Sequence, residues 1–194
     1  MNGFSIGTIF RDNGNTLVIV SGSTVFNLEK LLAASGADSL PSGFGLSEMM
    51  EDFFYFLRYG ADHHTINLLS GDYSAVQHFA FELADISHIT SACDMLARER
   101  VEILCGPLRH GCGHNIAMYH FDPEGLIIEH CAELDRMSNE GLGYFDPRPC
   151  HEDRPQYPKA WDPKAAIAVW GRFPPPELFN TGVSTAAHRM TRNE

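Results

Sequence analysis

Basic residues are scarce in this chain: 14 Lys plus Arg stand against 25 Asp plus Glu, for a formal net charge of -11. Nucleic-acid binding draws on a basic face that neutralises phosphates, so this balance excludes that class of partner. No apolar run approaches the roughly 20 residues that a bilayer-spanning helix needs, and no secretory signal pattern opens the sequence. The five cysteines, Cys93, Cys105, Cys112, Cys131 and Cys150, are odd in number and form no CxxC pair. A disulfide framework is therefore not expected, and a reduced, cytoplasmic protein is. Histidine is absent before His63.

What is present is a 194-residue chain with 44% hydrophobic residues, enough for one domain with a substantial core. Four segments between Asp62 and Leu134 set histidines, a tyrosine and a carboxylate into runs that otherwise read as strands: DHHTINLL from 62, VQHFAFEL from 76, LRHGCGHNIAMYHFDPEG from 108 and LIIEHCAEL from 126. Such side chains are costly to bury without partners.

The last two segments read as a hairpin about Asp122-Pro123-Glu124-Gly125, where Pro presets φ and Gly supplies the left-handed position. A three-residue loop with a glycine bulge pairs Asp122 with Leu126 and sets Tyr119 opposite Glu129. Asn115, Ala117 and Tyr119 then share a face with Ile127, Glu129 and Cys131, whereas a two-residue loop moves Glu129 to the other face. By the same alternation Val76, His78, Ala80 and Glu82 share one face, with Phe79, Phe81 and Leu83 on the other. On DHHTINLL, His64, Ile66 and Leu68 share a face and His63 points the opposite way. In a sheet curled into a half-open barrel, His64, His78, Tyr119 and Glu129 converge. One imidazole and one carboxylate on adjoining strands suit a hard or borderline divalent metal.

In chain order, Thr16 to Val20 reads as a short buried strand and Asn27 as the cap of a helix through Ser35. DFFYFLR and HHTINLL read as strands joined through Tyr59-Gly60-Ala61-Asp62. Asp85 caps a helix with Ile86, Ile89, Cys93 and Leu96 at helical spacing, and a short strand from Val101 to Leu104 stops at Gly106-Pro107. Residues 76 to 131 thus spell strand, helix and three strands, βαβββ. Eight of the eleven prolines lie from Pro147 to Pro176, along with both tryptophans, Trp161 and Trp170, which reads as an extended tail wrapping the domain. The last dozen residues read as disordered.

From GFGLSE through FLRYGADHHTINLL and HFAFEL to RHGCGHNIAMYHFDPEGLIIE, roughly residues 43 to 132, the chain resembles a type I extradiol ring-cleavage dioxygenase of the vicinal oxygen chelate superfamily. The resemblance implies an α+β fold of paired βαβββ modules in a half-open barrel, the N-terminal module being atypical. It implies one domain over 1–134, with a divergent first module at 1–72 and an intact second at 73–134, followed by a tail over 135–194. It implies Fe(II), with Mn(II) as an alternative, held by His78 and Glu129. It also implies catalytic roles for His64 as acid and base, and for His110 and Tyr119 as contacts to the substrate's oxygens. The family's first metal ligand, a histidine, falls near Val20 in TLVIVSGS, so the sequence offers two protein ligands.

Each residue also has a plainer reading. His78 is a satisfied strand histidine, Glu129 salt-bridges an arginine such as Arg109, His110 is solvated in a glycine-rich loop, and Tyr119 is a core aromatic. His114, His120 or His63 could stand in as a ligand, Arg109 and Asn115 could touch a substrate, and the cysteines read as packing residues. Phe53, Phe54, Phe56 and Phe79 offer an aromatic surround. The expected activity is insertion of O2 into a catechol-type diol with ring opening, in a cytoplasmic homo-oligomer. The alternatives are a relative that binds a small aromatic ligand without iron, and a lyase or isomerase of the same superfamily.

Overall fold

The computed structural model describes residues 44–50, 53–69, 75–147, 156–180 and 183–184. The strand at Thr16 to Val20, the helix from Asn27, the ligand position near Val20, Cys150 and most of the last dozen residues lie outside the described residues.

Two sheets carry the architecture, which is α+β. The first is an antiparallel meander of β1 (Gly45–Met50), β2 (Phe54–Arg58) and β3 (Ile66–Leu69). The second begins with β5 (His78–Glu82), continues through helix α1 (Ile86–Arg98) and closes with β6 (Ile103–Arg109), β7 (Ile116–Phe121) and β8 (Ile127–Ala132). Its spatial order is β5-β8-β7-β6, with β5 parallel to β8 and the other pairs antiparallel. This is the βαβββ unit read from residues 76 to 131. A two-stranded ribbon joins β4 (Ala75–Val76) to β9 (Val183–Ser184).

Helix α1 starts where expected because the Asp85 carboxylate accepts from the amides of Ser87 at 2.8 Å and His88 at 3.1 Å, covering free N–H groups of the first turn. Its inner stripe, Ile89 and Leu96, meets Met118 and Ala132 on one face of the second sheet. Ile86 falls off that stripe and is exposed. The opposite face carries Ala80, Ala117, Tyr119, Ile127 and Cys131, joined by Leu178 from the C-terminal segment. Strand alternation thus divides each strand between a helix-covered face and a face turned towards the site.

Three sequence expectations need correction here. Strand β6 does not stop at Gly106-Pro107 but runs through to Arg109, with register shifts between Ile103 and Cys105 and between Cys105 and Leu108. These bulges accommodate a residue that has no N–H to give the ladder. Strand β3 begins only at Ile66, so His63 and His64 lie in the seven-residue connection 59–65 and not in the strand. The Pro-rich segment 156–180 is not wholly extended. It contains α2 (Pro163–Ile167), capped by Asp162 with Pro at the first helical position, and α3 (Glu177–Asn180).

Candidate active site

The hairpin geometry that places the carboxylate is as the turn chemistry requires. The amide of Asp122 donates to Leu126 O at 2.8 Å, Gly125 has φ 85, and Tyr119 pairs with Glu129 across β7 and β8. On the other side of β8, Ala80 pairs with Glu129, and His78 lies one alternation before it on the same face of β5. His78 Nε2 consequently lies 3.0 Å from Glu129 Oε2, with both side chains more than nine-tenths buried.

The β2–β3 connection is clamped onto the second sheet. His63 N donates to Asp135 O at 2.7 Å and Asp135 N to Gly113 O at 2.9 Å, which brings His64 alongside the β6–β7 loop. The C-terminal segment closes the opposite side: Trp161 N bonds Met49 O at 2.8 Å and Gly111 N bonds Ala166 O at 2.8 Å. Between these walls is a pocket of about 670 Å³, its open mouth included, lined by His64, His78, His110, Tyr119 and Glu129 together. All five site residues singled out in the sequence therefore meet in one cavity. Met50, Phe53, Phe54, Phe56, Ile167 and Phe179 make most of its remaining wall apolar. A mostly apolar wall with a few convergent polar groups is the lining expected for a small aromatic ligand. Phe79 lines no part of it, because alternation turns it to the other face.

Each pocket histidine has its Nδ1 occupied away from the cavity. His78 Nδ1–H donates to the Gln77 side-chain oxygen, whose amide nitrogen in turn holds Leu178 O. His110 Nδ1–H donates to Ile167 O at 2.8 Å. His64 Nδ1 meets His63 Nδ1 at 2.8 Å. Both His78 and His110 give their Nδ1–H to a carbonyl oxygen, and in the singly protonated ring this leaves a lone pair on Nε2. His110 Nε2 accepts from the Tyr119 hydroxyl at 2.8 Å. His78 Nε2 finds no hydrogen bond of acceptable geometry although Glu129 is beside it. An imidazole lone pair and a carboxylate at that distance, buried and unbridged, call for a cation or a proton between them, and their side chains fit a divalent ion.

Burial dominates the titration of this group. It holds His64 well below the ordinary imidazole value, and electrostatic interaction with His63, His110 and His78 acts in the same direction. His110 is likewise lowered by burial, and burial together with the Glu129 charge pushes the Tyr119 phenol well up. Glu129 runs the other way. Burial raises it, but the close approach of His78, with His110 and Tyr119, leaves it below the usual carboxylate range. At neutral pH His64 and His110 are thus uncharged, Tyr119 keeps its proton and Glu129 is ionised. Asn115 Nδ2 adds a hydrogen bond to Glu129 Oε1 at 3.1 Å.

Other expectations do not hold. His63 and His64 do not point apart, since outside a strand no alternation separates them and their rings meet edge to face. Arg109 does not reach Glu129; it pairs with Glu133 at 2.8 Å and with His114 O at 2.6 Å, and it lines no part of the pocket. His114 is drawn into that cluster, and His120 stacks on His130 on the far face of the sheet, so neither serves the pocket as a ligand. Glu48, Gln77, Cys112 and Gln156 escaped sequence reasoning. Glu48 carried a legible signal, a carboxylate inside the apolar strand GLSEMM, and it is 3% exposed.

The Glyoxalase/Bleomycin resistance protein/Dioxygenase superfamily matches over residues 15–130, more than half of the chain. The chain belongs to this superfamily. Within it, the chain is 30% identical to metapyrocatechase 2 of Cupriavidus necator over 95 residues, 48% of this chain and 30% of that protein. Among solved structures it is similar to the Mn(II)-bound glyoxalase from Novosphingobium aromaticivorans, with a TM-score of 0.65 at 21% identity over 88% of this chain and 50% of that one. Homoprotocatechuate 2,3-dioxygenase from Brevibacterium fuscum, in complex with 3,4-dihydroxyphenylacetate, matches with a TM-score of 0.62 at 18% identity over 86% of this chain and 48% of that one. The chain spans about half the length of these structures and under a third of the metapyrocatechase. The vicinal oxygen chelate fold expected from the sequence is the fold found.

Proposed function

We propose that this protein is a divalent-metal-dependent extradiol dioxygenase that opens a catechol-type ring with O2. The observation that carries the reading is the convergence of three imidazoles, a phenol and a buried carboxylate on one apolar, aromatic-walled pocket. Likeness to metapyrocatechase 2 and to homoprotocatechuate 2,3-dioxygenase supports it. His78 Nε2 and Glu129 would hold the ion, Fe(II) or alternatively Mn(II), with a third protein ligand supplied by a partner subunit, since the family's histidine position near Val20 carries no metal-binding side chain. When bound, that ion would supply a Lewis-acidic, redox-capable centre that brings diol and O2 together.

The chain's own groups do the remaining work. His64, neutral through burial, accepts a diol proton at Nε2 and later returns it. The Tyr119 hydroxyl has one proton and two neighbouring acceptors, His110 Nε2 and Glu129. Once Glu129 is engaged as a ligand, that proton serves His110, and the phenol oxygen is free to accept from the substrate. Phe53, Phe54 and Phe56 flank the ring and keep water away. Both atoms of O2 enter the product and the ring carbon–carbon bond beside the diol breaks, so no external reductant is needed. In this reading residues 1–134 are one domain of two modules, the segment from 135 onward borders the pocket mouth, and the protein works as a cytoplasmic homo-oligomer.

The test is anaerobic Fe(II) titration of the purified protein, then 2,3-dihydroxybiphenyl or 3,4-dihydroxyphenylacetate and air. One ion per chain and a yellow ring-opened product are expected, both lost in His78→Ala and Glu129→Ala. Absence of metal uptake and of colour sinks the proposal. The absence of histidine before His63 favours a second reading, a relative that binds a diol without metal. Calorimetric diol binding to metal-free protein, unchanged by Glu129→Ala, would select it.

A further inference from the structure

Behind His64, away from the pocket, is a chain of buried polar groups that the reading above does not use. His64 Nδ1 is 2.8 Å from His63 Nδ1, and His63 Nε2 is 3.0 Å from Glu48 Oε2. His63 is fully buried, held between Phe145 with ring centroids 5.0 Å apart and Phe56 at 5.6 Å. Glu48 accepts further from Gly113 N at 3.4 Å and from Gln156 Nε2 at 3.3 Å. Donors therefore meet both carboxylate oxygens.

Two imidazole Nδ1 atoms in contact leave the proton's place open, because either ring can donate. The ambiguity ends at Glu48. An ionised carboxylate only accepts, so His63 carries a proton on Nε2, and in the singly protonated ring the lone pair is on Nδ1. His64 must then donate through Nδ1, which strips its Nε2 of a proton. Among the described residues that Nε2 has no hydrogen-bond partner, and its ring lines the pocket. The other two pocket histidines have their tautomers set by carbonyl oxygens. For His64 alone the setting is relayed from a charge two residues away in the chain of contacts.

We infer that Glu48 is a positioning residue which, through His63, fixes His64 as the Nδ1–H tautomer and so presents a bare Nε2 to the pocket. Stability alone gives little reason to bury this carboxylate, since an apolar side chain would suit an apolar strand better. His64 as a base rests on the proposed function, but its tautomer does not.

Glu48, His63 and Cys112 also bring donor atoms within 4.8 Å of one another, the donor set for a soft divalent ion. The hydrogen bonds that converge on Glu48 from Gly113 and Gln156 favour a lone carboxylate over a metal ligand.

The first experiment is long-range 1H–15N correlation on imidazole-15N-labelled full-length protein, with His64→Phe providing the assignment. The expected spectrum shows the His64 proton on Nδ1, and Glu48→Gln or His63→Asn shifts it wholly or partly to Nε2. A wild-type His64 protonated on Nε2 overturns the inference whether or not the protein cleaves catechols. So does uptake of one Zn(II) per chain by His78→Ala/Glu129→Ala protein that is lost on adding Glu48→Gln, which would make the cluster a metal site. The kinetic arm uses the Fe(II)-loaded protein. Glu48→Gln is expected to lower kcat by ~10²-fold or more, the scale of a misplaced general base, with KM for the diol and iron content unchanged. Equal kcat in Glu48→Gln and wild type overturns the inference. Absence of turnover in wild type fails the dioxygenase reading and leaves the spectroscopic test standing.

Discussion

Replacing Gly113 by alanine separates local strain from catalytic geometry. Gly113 has φ +68, a conformation that costs an L-residue about 1–2 kcal/mol. A Cβ there would be 2.9 Å from His63 Nδ1 and 3.3 Å from both His63 Cγ and His64 Cε1. Neither ring can swing aside. His63 has no exposed surface and is wedged by Phe56 and Phe145, and its far nitrogen is tied to Glu48. Relieving the contact must push His63 off the 2.8 Å approach to His64. Overpacking of this kind costs about 1–3 kcal/mol, so the total expected loss is about 2–5 kcal/mol. Urea unfolding should show a lower midpoint at unchanged slope. Metal-loaded protein that still folds should lose kcat and keep its iron, since His78 and Glu129 are not displaced. A loss below about 1 kcal/mol with wild-type kcat would show that the loop yields freely, and the wedge argument would then be wrong.

Other perturbations test other parts. Ile89→Ala empties the centre of the helix–sheet contact and should cost about 2–5 kcal/mol in urea unfolding without altering metal uptake. In Glu48, burial raises the carboxyl but the hydrogen bond from His63 and its electrostatic attraction more than offset this, so the folded pKa is below the unfolded one. The stabilisation is present above the unfolded carboxylate range and fades as pH falls through the folded value. Midpoints measured downward from pH ~5 should therefore fall less steeply in Glu48→Gln than in wild type, with Glu129 accounting for a remaining slope. Tyr119→Phe removes the proton given to His110 and should lower kcat for a catechol more than it weakens diol binding, measured by comparing turnover with anaerobic titration.

Legibility in the sequence followed the range over which each feature is determined. Residues 76 to 131 could be laid out strand by strand because the Asp85 cap, the Asp122–Gly125 turn and period-two alternation are all local. The Tyr119–Glu129 pairing followed from the length of one loop. Strand β6 was read short because proline marks a stop only if its own strand cannot bulge, and here it does. The His63–His64 pair was misread because strand alternation was extended into a connection that tertiary contacts to Asp135 and Gly113 hold in another shape. Glu48 and Gln156 are 108 residues apart, and their meeting depends on the C-terminal segment crossing β1, which no local pattern announces.

That crossing ties the Pro-rich segment to the chemistry more closely than a role at the pocket mouth would. Ile167 supplies both an apolar wall and the carbonyl that directs His110 Nε2 towards Tyr119. Leu178 supplies another wall and the carbonyl that anchors Gln77, which sets the tautomer of His78. Gln156 meets the carboxylate at the head of the His64 relay. One segment therefore touches the supports of all three pocket imidazoles while contributing no titratable group to the pocket wall. On the proposed function, substitutions along it that alter the shape of the mouth are expected also to shift proton positions inside, so that substrate preference and turnover change together.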